Sequence, residues 1–171
     1  MLSHVRFLAP RLLRAAPAGA PATRFASSFV ERLGAAQKVV STVNAAEAKE
    51  YISAKKPIIV DVRDSADVAD GIKGAVNIPL SNLVFAADQD FALPEDVKVG
   101  DKVLLPKGTK FVSEHLKGAK DKPILVSCGL GGQALIGAQI LVEYGYKEVK
   151  AVDGGNVAWL NSGGESCECM K

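Results

Sequence analysis

Short runs of β-branched and leucine residues alternate along this chain with stretches whose apolar positions recur at helical spacing. Lys38-Val39-Val40-Ser41-Thr42 can start a strand, while residues 30–37, a polar and apolar mixture, read as a linker or short helix. Asn44-Ala45-Ala46-Glu47 has the N-cap and N3 pattern that opens a helix. Ala48, Tyr51 and Ile52 supply its apolar face, and Lys55-Lys56 closes it. Pro57 leads into Ile58-Ile59-Val60, a β-branched run that predicts a central parallel strand ending at Asp61-Val62-Arg63. A short helix is expected over 64–70, then glycine turns and a brief strand at Val76 and Ile78, stopped by Pro79. Asp88, Pro94, Gly100, Pro106 and Gly108 break up residues 84–109, which predicts a surface insertion with a small hairpin between Val97 and Leu105. Helical spacing returns from Lys110 to Lys117 through Phe111, Val112 and Leu116, with Gly118 as the C-cap and His115 on the exposed side.

The next stretch organises the rest. Ile124 to Val126, entered through Pro123, predicts a buried strand, and Ala134-Leu135-Ile136 with Gln139-Ile140-Leu141 predicts a helix that ends at Gly145. Between them lie Ser127, Cys128 and three glycines within four residues, Gly129 to Gly132. A strand, a glycine-rich loop and a helix N-terminus direct backbone N–H groups and the positive end of a dipole at one place. Such a setting stabilises a sulfur anion and leaves room for a small reactant to approach it. A buried, inert cysteine is the alternative. Glu148 to Val152 predicts one more strand, Asp153-Gly154-Gly155 a turn, and Asn156 to Leu160 a final helix with Trp159 on the core. The alternation from about residue 38 to 162 predicts an α/β fold with a parallel sheet.

Composition adds three constraints. The 48% hydrophobic and 23% charged content predicts a packed core in this 171-residue chain. Residues 1–25 hold Arg6, Arg11, Arg14 and Arg24 and no acidic residue, so the 19 carboxylates outnumber what remains of the 21 basic groups. A near-neutral body argues against nucleic acid as a partner, and no apolar run approaches the roughly 20 residues that span a bilayer. Residues 1–28, rich in arginine and alanine, have the composition of an organelle transit peptide, with a mitochondrial-type cleavage pattern at Arg24-Phe25-Ala26-Ser27. The mitochondrial matrix is the expected location, a plastid the alternative. Three cysteines, two of them crowded at Cys167 and Cys169, make no disulfide framework and suit a reducing compartment.

Four segments together resemble the rhodanese-like sulfurtransferases: Ile58 to Arg63, Gly71 to Pro79, Ile124 to Cys128, and Asp153 to Trp159. The resemblance implies one domain over about 38–162, a five-stranded mostly parallel sheet flanked by helices on both faces, and a cysteine persulfide on Cys128. Residues 163–171 are then a flexible cysteine-containing tail. Expected to bind the travelling sulfur are the backbone amides of Gly129, Leu130, Gly131, Gly132, Gln133 and Ala134, with Arg63 as a substrate contact; Asp61 and Trp159 are expected to support the loop. Asp61 and Arg63 pairing with each other is the alternative. A small persulfide donor and a thiol or protein acceptor are the implied partners, and no cofactor or metal is expected.

The chain departs from the family pattern at Gln133, where the active loop usually carries arginine, and at Gly129, often a basic position. Thiosulfate, a dianion, loses its expected partner; a thiol-bound donor loses less. Gly71 replaces a common histidine. Related phosphatases close a longer loop with arginine where this chain has Ala134, which argues against phosphate monoesters. Cys167 and Cys169 can resolve the persulfide, hold a soft metal, or be incidental thiols. The missing arginine and the 84–109 insertion also allow a non-catalytic, protein-binding module of the same fold.

Overall fold

The computed structural model describes residues 28–65 and 70–167. The leader before Ser28, Cys169 and the middle of the helix expected over 64–70 lie outside the described residues. The elements are α1 (Phe29–Ala36), β1 (Ser41–Val43), α2 (Ala45–Lys55), β2 (Ile58–Asp61), β3 (Gly71–Ile72), β4 (Val76–Asn77), α3 (Leu80–Ala86), β5 (Val97–Val99), β6 (Lys102–Leu105), β7 (Pro123–Ser127), α4 (Gly132–Glu143), β8 (Glu148–Val152), α5 (Gly155–Asn161) and β9 (Ser166–Cys167).

Five strands form one sheet in the order β1-β8-β7-β2-β4, and every pairing in it is parallel. The pleat splits the core in two. Val60, Ile124, Val126, Val149 and Ala151 face the side where Ala134, Ala138 and Leu141 of α4 and Leu83 of α3 pack. Ile59, Leu125 and Val152 face the other side, against Tyr51 of α2 and Trp159 of α5. Helix α4 sits close to the sheet because Gly137 faces it: a Cβ there would lie 3.1 Å from Val62 and 3.3 Å from Leu83.

Two readings of the sequence need correction, and one choice it left open is resolved. Residues 29–36 take the short helix and not the linker, capped by Ser28 and Glu31 in a reciprocal capping box, and they lie on α4. Residues 110–117 form irregular chain and turns instead of a helix, because Phe111 stacks on Phe91 and packs at a tilt against Phe85, and Ser113 N–H bonds the Ala86 carbonyl. Helical spacing there was coincidental; His115 is exposed as expected. The start of the presumed flexible tail is an ordered strap: β9 pairs antiparallel with β3, and the Trp159 indole donates to the Glu165 carbonyl at 2.9 Å. Gly164 lies flat on the same indole, where a Cβ would collide with the ring. The hairpin expected between Val97 and Leu105 is present as β5 and β6.

Burial, then the neighbouring Glu148 carboxylate, pushes the Tyr51 phenol up to about 12. The native state therefore keeps this proton while the unfolded chain ionises near pH 10. Stability should fall from about pH 10 towards 12, and Tyr51→Phe should flatten part of that slope in urea titrations at alkaline pH.

Candidate active site

β2 and β7 run in register, Asp61 opposite Ser127, so Val62 and Cys128 leave the sheet side by side at its C-terminal edge, with Arg63 one residue further on. The Val62 amide donates to the Ser127 carbonyl at 3.0 Å, tying the two exits together. Cys128 is buried, with 2% of its surface exposed, whereas Leu130 at the crest of the loop is 77% exposed. The Gly131 amide donates to Cys128 Sγ at 3.1 Å. Gly131, at φ +94°, is also the N-cap of α4 and brings no capping side chain. The amides of Gly132, Gln133 and Ala134 open that helix and have no intrahelical acceptor. Of the six amides expected around the sulfur, the structure thus aims that of Gly131 at it, while those of Gly132, Gln133 and Ala134 belong to the first turn of α4. Gln133 is exposed.

The far wall comes from the first turn of α5. The Asn156 amide donates to the Cys128 carbonyl at 2.7 Å, and the Val157 amide to the Gly129 carbonyl at 3.2 Å. Gly155, at φ +59°, lies so close that a Cβ there would fall on the Cys128 carbonyl and within 2.7 Å of Gly131 N. A third wall is α1, whose Phe29 ring would be 3.0 Å from a Cβ on Gly132.

Asp61 and Arg63 pair with each other. Asp61 is fully buried, and the Arg63 side chain, 14% exposed, donates to it at 2.7 Å through Nη2 and at 3.0 Å through Nε. Arg63 Nη2 also donates to the Asp70 carbonyl. Burial pushes the Asp61 carboxyl up, but the hydrogen bonds from Arg63 and Asn156 outweigh it and hold the group below the usual carboxylate range. The structure thus gives Arg63 a carboxylate and a carbonyl as partners, and holds Trp159 of α5 against the strap. Cys167 sits in β9 opposite Gly71.

Three residues of the site had no role in the sequence reading. Asn156 bridges Asp61 and the Cys128 loop; Asn77 donates to the Asp61 and Arg63 carbonyls; Phe29 covers Gly132. A polar residue directly after a double glycine was the available signal for Asn156.

A groove of about 420 Å³ runs beside the loop, between α1, the ends of β1 and β8, and residues 130–132. Among the described residues lining it, Asp153 is the charged one.

The model of the rhodanese-like domain matches residues 44–162. The chain belongs to the rhodanese-like family. Helix α1, which covers one side of the loop, lies outside the matched range. No curated protein matches the chain. Among solved structures, a protein of unknown function from Rhodopseudomonas palustris, titled a possible tyrosine phosphatase, aligns with TM-score 0.65 at 22% identity over 86% of this chain and 98% of its own. A rhodanese-like domain from Anabaena aligns with TM-score 0.53 at 22% identity, covering 75% of this chain and 79% of that one. The human single-domain sulfurtransferase aligns with TM-score 0.50 at 22% identity, covering 71% and 96%. At such identities these likenesses speak for the fold.

Proposed function

We propose that this rhodanese-like protein is a sulfurtransferase that carries sulfane sulfur on Cys128 and draws it from thiol persulfides rather than thiosulfate. The observation that carries the reading is the Gly131 amide on Cys128 Sγ, inside a loop in which Gly129, Gly131 and Gly132 carry no side chains. The Cys128 thiolate attacks the outer sulfur of a donor RSSH. A new S–S bond forms, the donor's S–S bond breaks, and RSH departs with the proton, leaving an anionic persulfide on the enzyme. An acceptor thiolate then attacks that outer sulfur and releases the Cys128 thiolate, with no net oxidation. The Gly131 amide is the donor already on the sulfur, and the unpaired first-turn amides of α4 are the further donors offered to the extra charge. Cys128→Ser should abolish persulfide-to-thiol transfer; turnover unchanged from wild type would refute the reading.

Donor preference follows from charge. The loop carries Gln133 and Gly129, and the adjoining groove presents the Asp153 carboxylate, so among the described residues of the loop and the groove a dianion meets no matching cation. Gln133→Arg should therefore raise thiosulfate turnover about tenfold, the scale of one partly solvated charge-assisted hydrogen bond. Steady-state cyanide assays with both donors check this. The absent clamp arginine also argues against phosphate esters as substrates.

One observation favours a second, docking function on the same fold. Val97, Val99, Val103, Leu104 and Leu105 of the β5–β6 hairpin are all exposed. If docking is the whole function, deleting the hairpin should abolish partner capture while Cys128→Ser leaves it intact. The composition of residues 1–28 supports delivery to the mitochondrial matrix, with a plastid as the alternative. Fusing that segment to a fluorescent protein and following its import tests both.

A further inference from the structure

We propose that Asn156 is a positioning residue for the cysteine loop, and that it acts by donating from its side-chain amide to Asp61. Asn156 is 3% exposed. Its Nδ2 donates to Asp61 Oδ2 at 2.9 Å, and its backbone amide donates to the Cys128 carbonyl at 2.7 Å. One residue thus joins the loop to the buried Asp61–Arg63 pair. The orientation of the side chain follows from its partner, because an ionised carboxylate only accepts.

The turn before Asn156 has little stiffness of its own. Gly154 and Gly155 stand at φ +69° and +59°, a conformation glycine adopts at no steric cost and leaves as readily. The side-chain bond to Asp61 therefore fixes where the Asn156 N–H points. That N–H holds the Cys128 carbonyl inward, and the peptide orientation set there governs how the following loop turns the Gly131 amide onto Sγ. Asp61, fixed by Arg63 through both carboxylate oxygens, is the rigid post.

Substitutions separate donation from mere space-filling. Asn156→Ala removes the donor at every pH. Asn156→Asp places a second carboxylate against Asp61; like charges and burial raise the pKa of such a pair, and its protonated form donates again. The charged and titratable groups in this network are Asp61 and Arg63 at the end of β2 and Cys128 on the loop, with Asp153 exposed in the turn before α5.

The readout is the alkylation rate of Cys128 by iodoacetamide, resolved by mass spectrometry from Cys167 and Cys169 and divided by the wild-type rate at each pH. N156A should fall about tenfold at all pH values. N156D should fall as far at neutral pH and recover towards wild type as the pH drops. Wild-type rates in both variants, or an N156D profile that tracks N156A throughout, would overturn the proposal. Hydrogen exchange guards against general loosening: amides 156 and 157 should exchange about tenfold faster in N156A, with Val126 in β7 unchanged. A uniform rise across the strands would equally overturn it. The inference rests on the sulfur-transfer reading only for its effect on turnover, where kcat should fall with KM for the persulfide unchanged. Alkylation tests the positioning even if no persulfide forms on the wild-type protein, so the two ideas can fail separately.

Discussion

Gly155→Ala is expected to remove sulfur transfer almost entirely while the sheet still forms. A methyl group at this position would fall on the Cys128 carbonyl and lie within 2.7 Å of both the Gly129 carbonyl and the Gly131 amide, all backbone atoms that cannot swing aside. The left-handed backbone at φ +59° adds strain of about 1–2 kcal/mol for any residue with a Cβ. The loop has to move away from the turn, which pulls the Gly131 amide off Cys128 Sγ and breaks the bonds from Asn156 and Val157. A displacement near 1 Å at a reacting group costs roughly a hundredfold in rate. Persulfide turnover should drop by at least about that factor, and the melting temperature by several degrees. Turnover within a few-fold of wild type would show that the loop is not held as described.

The second large effect is on stability. Asp61→Ala leaves the largely buried Arg63 guanidinium without its carboxylate and should cost about 3–5 kcal/mol, read from urea unfolding at neutral pH. The acid side carries a sign. Because the Asp61 carboxyl titrates below the usual range in the folded protein, its stabilisation is present above the unfolded value of about 3.9 and is lost as the pH falls through the folded one. Asp61→Asn should flatten that part of the acid unfolding curve. A variant as stable as wild type at neutral pH, with an unchanged acid slope, would remove this pair from the account of the fold.

The sheet and the cysteine loop were legible because their signals are local. A β-branched run entered through a proline marks β2 and β7, and clustered glycines mark the loop between β7 and α4. What stayed hidden depends on distant partners. Helix α1 is short, and its contact with α4 relies on Gly132 being bare beneath Phe29. Val112 and Leu116 fall at helical spacing, yet the adjacent Phe111 belongs to an aromatic cluster with Phe85 and Phe91. Gly163-Gly164 reads as a loose tail, although Gly164 is glycine because the Trp159 ring lies against it. Asn156 looked like an ordinary first-turn residue; its work comes from Asp61, 95 positions earlier.

The claim on which everything else stands is that Cys128 takes up sulfur in a loop shaped by main-chain amides. Incubation with glutathione persulfide, followed by peptide mass spectrometry, tests it directly. The Cys128 peptide should gain one sulfur atom, reversed by a thiol acceptor and absent in Cys128→Ser. A Cys128 peptide that stays unmodified while Cys167 and Cys169 gain sulfur would contradict it.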